Sequence, residues 1–365
     1  MTHLFSPLKL RELEIPNRIA VSPMCQYSSP TDGLAREWHR VHLGSRAVGG
    51  AGLVMAEATV VEARGRISTH DLGIWSDDHV EALEPITTFM RQQGAVPAIQ
   101  LAHAGHKASK NQPWEGNEPV HPDDGGWEVL SPSPEAYPFE AEPHAMRKMD
   151  REDIDAVVEA FRASAERSLE AGFEVAEVHA AHGYLLHQFL SPVTNRREDE
   201  YGGSFENRTR LVREATAAVR DVWPEEKPVF VRISGSDWLP NRESWDLEQS
   251  IRLSRTLADL GVDLIDVSSG GIHPDQAGPT GPNYQVPLAE GIREAVGDRI
   301  AVGAVGGITQ PEQADALIRN DRADLVLVAR AFLRDPYFPL RWGDGLGLED
   351  EGPDWPVQYR RAVSK

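Results

Sequence analysis

Residues 178–192 read VHAAHGYLLHQFLSP, and His179, His182 and Tyr184 crowd the end of an apolar run, FEVAEV. Two imidazoles three residues apart at a strand end can ligate a metal, shuttle protons, or donate two hydrogen bonds to one oxygen. A metal would need further ligands from neighbouring strand ends, and His103 and Glu57 are available, which would make a barrel metallohydrolase. Packed structural imidazoles are the plain alternative. Tyr184 favours proton chemistry, because a phenol beside two imidazoles suits proton delivery to carbon.

These residues need a scaffold that brings strand ends together. Eight short β-branched runs are candidate strands: RIAVSPM (18–24), LVMAEATVV (53–61), VPAIQLAH (96–103), VAEVHAA (175–181), PVFVRIS (228–234), LIDVSS (264–269), IAVGAVGG (300–307) and LVLVARA (325–331). Amphipathic segments lie between them, such as DDHVEALEPITTFMRQQG (77–94) and DREDIDAVVEAFRASAERSLEAG (150–172). The second opens on Asp150 with an acidic first turn and closes at Gly172, as a capped helix does. Eight strands alternating with helices predict an α/β fold, a (β/α)8 TIM barrel, as one domain over residues 1–365. An open doubly wound sheet would announce itself with a glycine-rich turn after the first strand, and none stands there. Residues 104–149, a long excursion after strand 3, break the rhythm. They are rich in Pro, Gly and Asp, and Trp114, Trp127 and Tyr137 predict a capping insertion packed over the barrel mouth. The tail, 343–365, is acidic and proline-bearing until PVQYRRA.

In such a barrel, chemistry gathers at the carboxyl ends of the strands. Those ends carry Ser22-Pro23-Met24-Cys25, Glu57-Ala58-Thr59, Gln100 with His103, His179 with His182, Arg232, Ser268-Ser269-Gly270, Gly306-Gly307 and Arg330. Gly306, Gly307 and Arg330 suit a phosphate: glycine-borne N–H groups with a helix amino terminus form a cradle, and a guanidinium after an aliphatic run wants an anion. The glycines also suit tight turns, Arg232 also suits pairing with an acid, and Gln100 also suits a satisfied core amide.

Acidic residues number 57 against 37 basic ones, a formal charge of −20, which argues against nucleic acid and anionic membranes because both would be repelled. Only six of the basic residues are lysines, a bias that a salty habitat and a GC-rich genome would each produce. The single cysteine, Cys25, leaves no partner for an intrachain disulfide and no ligand set for a cysteine-held iron–sulfur cluster. No basic-then-apolar leader opens the sequence, and no apolar run approaches the roughly 18 residues of a membrane span, so a cytoplasmic location is expected.

Five stretches, SPMCQYSS, EATVVEARGRISTHDLGIWSDDH, IQLAHAGHKAS, HAAHGYLLHQFLSPVTNRREDEYGGSFENRTR and GVDLIDVSSG, together resemble the Old Yellow Enzyme family, in its bacterial thermophilic-like branch of ene reductases. The resemblance runs from about Phe5 to Arg361, and KASKNQPWEG is similar to the xenobiotic-reductase-like members. It implies FMN held noncovalently in the barrel, reduced by NADPH or NADH and reoxidised by a small-molecule activated alkene: an enone, enal, maleimide or nitroalkene. By motif position, Ser22, Pro23, Met24 and Cys25 would line the isoalloxazine ring, Cys25 tuning its redox behaviour, with Ala58 and Gln100 at the polar edge. Arg232 would lie near N1 and O2, where reduction places negative charge. Ser269, Gly270, Gly306, Gly307, Ala329 and Arg330 fall in the segments that hold the ribityl phosphate. His179 and His182 would donate to the substrate's carbonyl oxygen, hydride would pass from flavin N5 to the β-carbon, and Tyr184 would protonate the α-carbon. No metal is implied. Tyr27 and Lys107 match further substrate-contacting positions. Arg361, or Arg360 in a register shifted by one, matches a terminal arginine that in several members reaches a neighbouring subunit's site, so a homodimer or homotetramer is expected. Two positions depart from the pattern: Ala329 stands where many members carry glycine, and His106 where arginine is usual.

Overall fold

Apolar runs covered on both faces form the central sheet, as expected of parallel strands. The computed structural model describes residues 2–348 and 350–363. Among them are β1 (Ile19–Val21), β2 (Leu53–Val60), β3 (Val96–Ala102), β4 (Val175–Ala180), β5 (Val229–Ser234), β6 (Leu264–Ser268), β7 (Ala301–Ala304) and β8 (Leu325–Val328), which close into a parallel barrel. Neighbours in the barrel are neighbours in sequence, and β8 returns to β1 with Val326 beside Ile19 and Val328 beside Val21. The expected (β/α)8 barrel is the fold. Its strands mostly end earlier than the apolar runs suggest, because the last residues of each run leave the ladder to build the mouth.

The helices follow their capping chemistry. Asp150 accepts the Asp153 N–H and Asp153 accepts the Asp150 N–H, starting the helix Arg151–Glu170. Ile154, Val157, Phe161, Ala165 and Ser168 form its buried stripe, and Gly172, at φ +84°, ends the run. Among the described residues no helix is long and apolar enough to cross a membrane.

An antiparallel hairpin, Leu8–Leu10 with Leu13–Ile15, was not expected. It brings Leu8 and Ile15 into one cluster with Leu53, Val96, Val175, Phe230 and Leu264, the floor of the barrel. Inward positions then climb by twos. They are Val175, Glu177 and His179 on β4, Phe230, Arg232 and Ser234 on β5, and Leu264, Asp266 and Ser268 on β6. Each series runs from an apolar floor through a charged middle to a polar rim.

Within residues 104–149, Val129–Ser131 pairs with Met146–Lys148, and Arg147 ties the excursion to Asp153 at the start of the following helix. On the tail, Pro353 packs against Gly50.

Candidate active site

The turn after β4 presents the histidine pair. His182 (φ +59°) and Gly183 (φ +71°) both adopt left-handed backbone conformations. The turn is tied down from two sides: the His182 N–H donates to Ser234 Oγ at 2.9 Å, and its carbonyl accepts from Lys107 Nζ at 2.7 Å. A Cβ on Gly183 would meet the Gly271 carbonyl oxygen at 2.1 Å, so only glycine fits between His182 and Tyr184. Gly183→Ala is therefore expected to lose about 1–3 kcal/mol in urea unfolding and to depress turnover by displacing both flanking side chains.

The three chemical groups form a file. The His182 and His179 rings are 5.1 Å apart at 84°, and the His179 and Tyr184 rings are 5.0 Å apart at 80°. Nδ1 of His179 accepts the Ala181 N–H at 3.3 Å, which leaves the ring proton on Nε2. That Nε2 lies 3.4 Å from His182 Nδ1, and His182 Nε2 meets Ser268 Oγ at 2.7 Å. Burial first, and the Arg232 charge second, hold both imidazoles well below their ordinary pKa, so both are neutral. Burial, then Cys25 and Asp71, pushes the Tyr184 phenol well above its ordinary range.

Beneath this file lies a charged layer. Arg232 Nη2 donates to Ser22 Oγ at 3.1 Å, and Nε lies 2.9 Å from Asp266 Oδ2. The Nε–H is not aimed at that oxygen, so the attraction is coulombic. Gln100 donates from Nε2 to Glu177 Oε1 at 2.7 Å. Glu177 Oε2 and both Asp266 carboxylate oxygens lack hydrogen-bond partners among the described residues. Burial, and then the Asp266 charge, raises Glu177 to about 8, and burial raises Asp266 to about 6.

Two cavities flank the file. The inner one, about 430 Å³, is lined by Ser22, Pro23, Arg232, Gly306, Gly307, Ala329 and Arg330, together with His182. The outer one, about 370 Å³, is lined by Tyr27, Lys107 and Tyr184, with residues of the 104–149 excursion. A small crevice shared by Ala58, Asp71 and Tyr184 lies beside them. Cys25 packs with Tyr27 and Tyr184 against Ile67, Ala104, Ala108 and Val129, while Met24 packs against the main core. Ser269 and Gly270 do not line the inner cavity: the Ser269 hydroxyl turns to Gln285 Oε1 at 2.6 Å, and the Gly270 carbonyl accepts from Ser234. Ser268, one residue earlier and in phase with Asp266, lines it instead. Arg361 is exposed on the tail.

The profile of the NADH:flavin oxidoreductase / NADH oxidase family matches residues 3–349. The chain belongs to this family. It is 46% identical to an NADPH dehydrogenase of a Geobacillus species, over 99% of this chain and 98% of the relative. It is 44% identical to an NADH:flavin oxidoreductase of Gibberella zeae, over 95% of this chain and 87% of the relative. Morphinone reductase superposes with a TM-score of 0.78 at 28% identity, covering 94% of this chain and 90% of that one. The old yellow enzyme homologue of Zymomonas mobilis shares the fold, with a TM-score of 0.77 at 24% identity over 98% of this chain and 100% of that one. This NADH:flavin oxidoreductase uses FMN as cofactor and NAD(P)H as reductant.

The residues present fit the flavin mononucleotide. In a chain of net charge −20, neither Arg330 nor Arg334 has an ion-pair partner among the described residues, and both face the inner cavity. Gly306 (φ +119°) and Gly307 (φ +67°) turn the backbone beside them, and a Cβ on Gly307 would strike the Gly281 carbonyl oxygen at 2.4 Å. Arg330, Arg334 and the glycine turns would hold the phosphate, and Arg232 would face the ring system. Glu177, Asp266, Gln285 and Arg334 were not singled out in the sequence, and Ser268 was named only among the strand ends.

Proposed function

We propose that this flavin oxidoreductase is an ene reductase, acting on alkenes conjugated to a carbonyl or nitro group: enones, enals, maleimides and nitroalkenes. When bound, FMN takes up electrons from NAD(P)H and supplies the hydride that adds to the β-carbon. The protein's own residues do the rest. His179 donates from Nε2 to the substrate oxygen, and His182 adds a second donor once its ring leaves Ser268. Two neutral donors draw electron density out of the double bond without the desolvation that a cation would need. Tyr184 delivers the proton to the α-carbon; a phenol of raised pKa keeps that proton in reserve, and the carbanion that takes it is more basic still. Tyr27 and Lys107 bound the substrate, and Cys25, Met24, Ala58 and Gln100 border the flavin ring. Arg361, exposed on the tail, is available to the site of a neighbouring subunit in a homodimer or homotetramer.

The observation that carries this reading is the file of His182, His179 and Tyr184, with ring separations of 5.1 and 5.0 Å, in which His182 lines the inner cavity and Tyr184 the outer one. The metallohydrolase alternative draws no such support. His103 Nε2 is engaged by Glu62 at 2.8 Å, Glu57 accepts the Gln26 N–H at 2.6 Å, and no metal-holding group of three or more His, Cys, Asp or Glu occurs among the described residues. The test is anaerobic: NADPH should bleach the yellow protein, and cyclohexenone should restore the colour. Bleaching that no enone, enal, maleimide or nitroalkene reverses would leave a flavin oxidoreductase but not an ene reductase.

A further inference from the structure

Reduction of a neutral alkene leaves one feature of the outer cavity unused. The chain has six lysines and a formal charge of −20, yet two of those lysines, Lys107 and Lys110, line this single cavity. Both ammonium groups lie against the Phe139 ring, and Lys107 also lies against Tyr184. The Lys107 ammonium lies 5.5 Å from the Tyr184 ring centroid and 5.2 Å from that of Phe139, and the Lys110 ammonium lies 5.9 Å from the same Phe139 ring. Lys107 is already engaged, donating to the carbonyls of His182 and Gly271. Lys110 Nζ has neither a hydrogen bond nor an ion pair among the described residues. Glu118, the acid whose charge it feels, is not among its ion-pair partners, and its ladder contacts to Ser68 and Pro119 belong to its backbone. Burial is the main influence on this ammonium and disfavours its charge. On the outside of the barrel, by contrast, Lys9 pairs with Glu12 and Lys227 with Glu174. A half-buried cation without a counter-charge has lost hydration that an incoming anion restores.

Resting on the ene-reductase reading, we propose that Lys110 is an anion-binding group of the outer cavity, recognising a carboxylate or phosphate on a small molecule that enters it. The anion belongs either to the alkene, as a carboxylate on its distal substituent, or to the hydride donor, as a dinucleotide phosphate. Separate half-reactions of the full-length holoprotein distinguish the two. In the reductive half, wild type, Lys110→Gln and Lys110→Arg are bleached by NADPH and by the uncharged donor 1-benzyl-1,4-dihydronicotinamide. In the oxidative half, enzyme reduced beforehand by the uncharged donor is recoloured by a carboxylate-bearing enone and by its methyl ester. Lys110→Gln is expected to lower the second-order rate constant for the charged partner of one half-reaction by about tenfold relative to its uncharged analogue. Lys110→Arg should retain the preference, and high salt should erase it in wild type. A change in the oxidative ratio assigns the anion to the alkene, and a change in the reductive ratio assigns it to the donor. If charged and uncharged partners respond alike in both halves, the proposal is overturned. Failure of the methyl ester to recolour wild type would instead count against the ene-reductase reading, and the reductive arm would still decide the role of Lys110.

Discussion

Tyr184→Phe is expected to lower alkene-dependent turnover by about 10²–10⁴-fold, the range for a lost general acid, while FMN stays bound and bleaching by NADPH keeps its wild-type rate. The substitution is conservative in packing. The Tyr184 ring stands edge-on to His179 and carries the Lys107 ammonium on its face, and phenylalanine keeps both contacts. Only the hydroxyl is lost, so the deficit should fall wholly on the oxidative half-reaction. The sign of the pH dependence follows from the raised phenol pKa, set by burial and then by Cys25 and Asp71. The acid stays protonated on the alkaline side, so the wild-type recolouring rate should not decline as pH rises toward the ordinary tyrosine value. Single-turnover recolouring by cyclohexenone checks both points. A Tyr184→Phe enzyme that recolours at the wild-type rate would remove the phenol from the mechanism.

The barrel was legible because its signal is redundant: eight apolar runs alternate with capped amphipathic helices, and each unit repeats the same message. The floor was not, since Leu8–Leu10 and Leu13–Ile15 are three-residue strands, too short to show a period of two. Strand ends were legible to within a few residues, which sufficed to gather His179, His182, Arg232, Gly306 and Arg330. A shift of one residue matters more for side chains, because it reverses the face of a strand. Asp266 fixes the inward phase of β6, and that phase selects Ser268 over Ser269. The same alternation, read on VAEVHA and LIDVS, marks Glu177 and Asp266 as acids facing a barrel interior. That signal was present in the sequence. For Lys110 there was none, since its meaning depends on Phe139, which only the folded excursion brings beside it.

Arg232→Met is expected to destabilise the protein by roughly 3–5 kcal/mol at pH 8.5, as when one partner of a buried ion pair is removed, and by much less at pH 5.5. Arg232 is 4% exposed, and Asp266 and Glu177 are fully buried beside it. Its charge lowers the pKa of both acids, yet burial still leaves Asp266 at about 6 and Glu177 at about 8. Both values exceed those of the unfolded chain, so the folded protein binds more protons across this window, and stability falls as pH rises through 6 and then 8. Methionine fills the same channel without the charge. The two acids must then rise further, and the penalty is largest where both would otherwise be ionised. Acidification supplies the protons and relieves it. Urea unfolding at the two pH values checks the sign, and repeating it with excess FMN and after FMN removal separates lost cofactor binding from lost neutralisation. Asp266→Asn added to Arg232→Met should recover much of the deficit at pH 8.5, because the amide leaves no charge for the arginine to balance. An equal loss at both pH values, unmoved by the second substitution, would mean that packing alone makes Arg232 necessary and that its two acids do not.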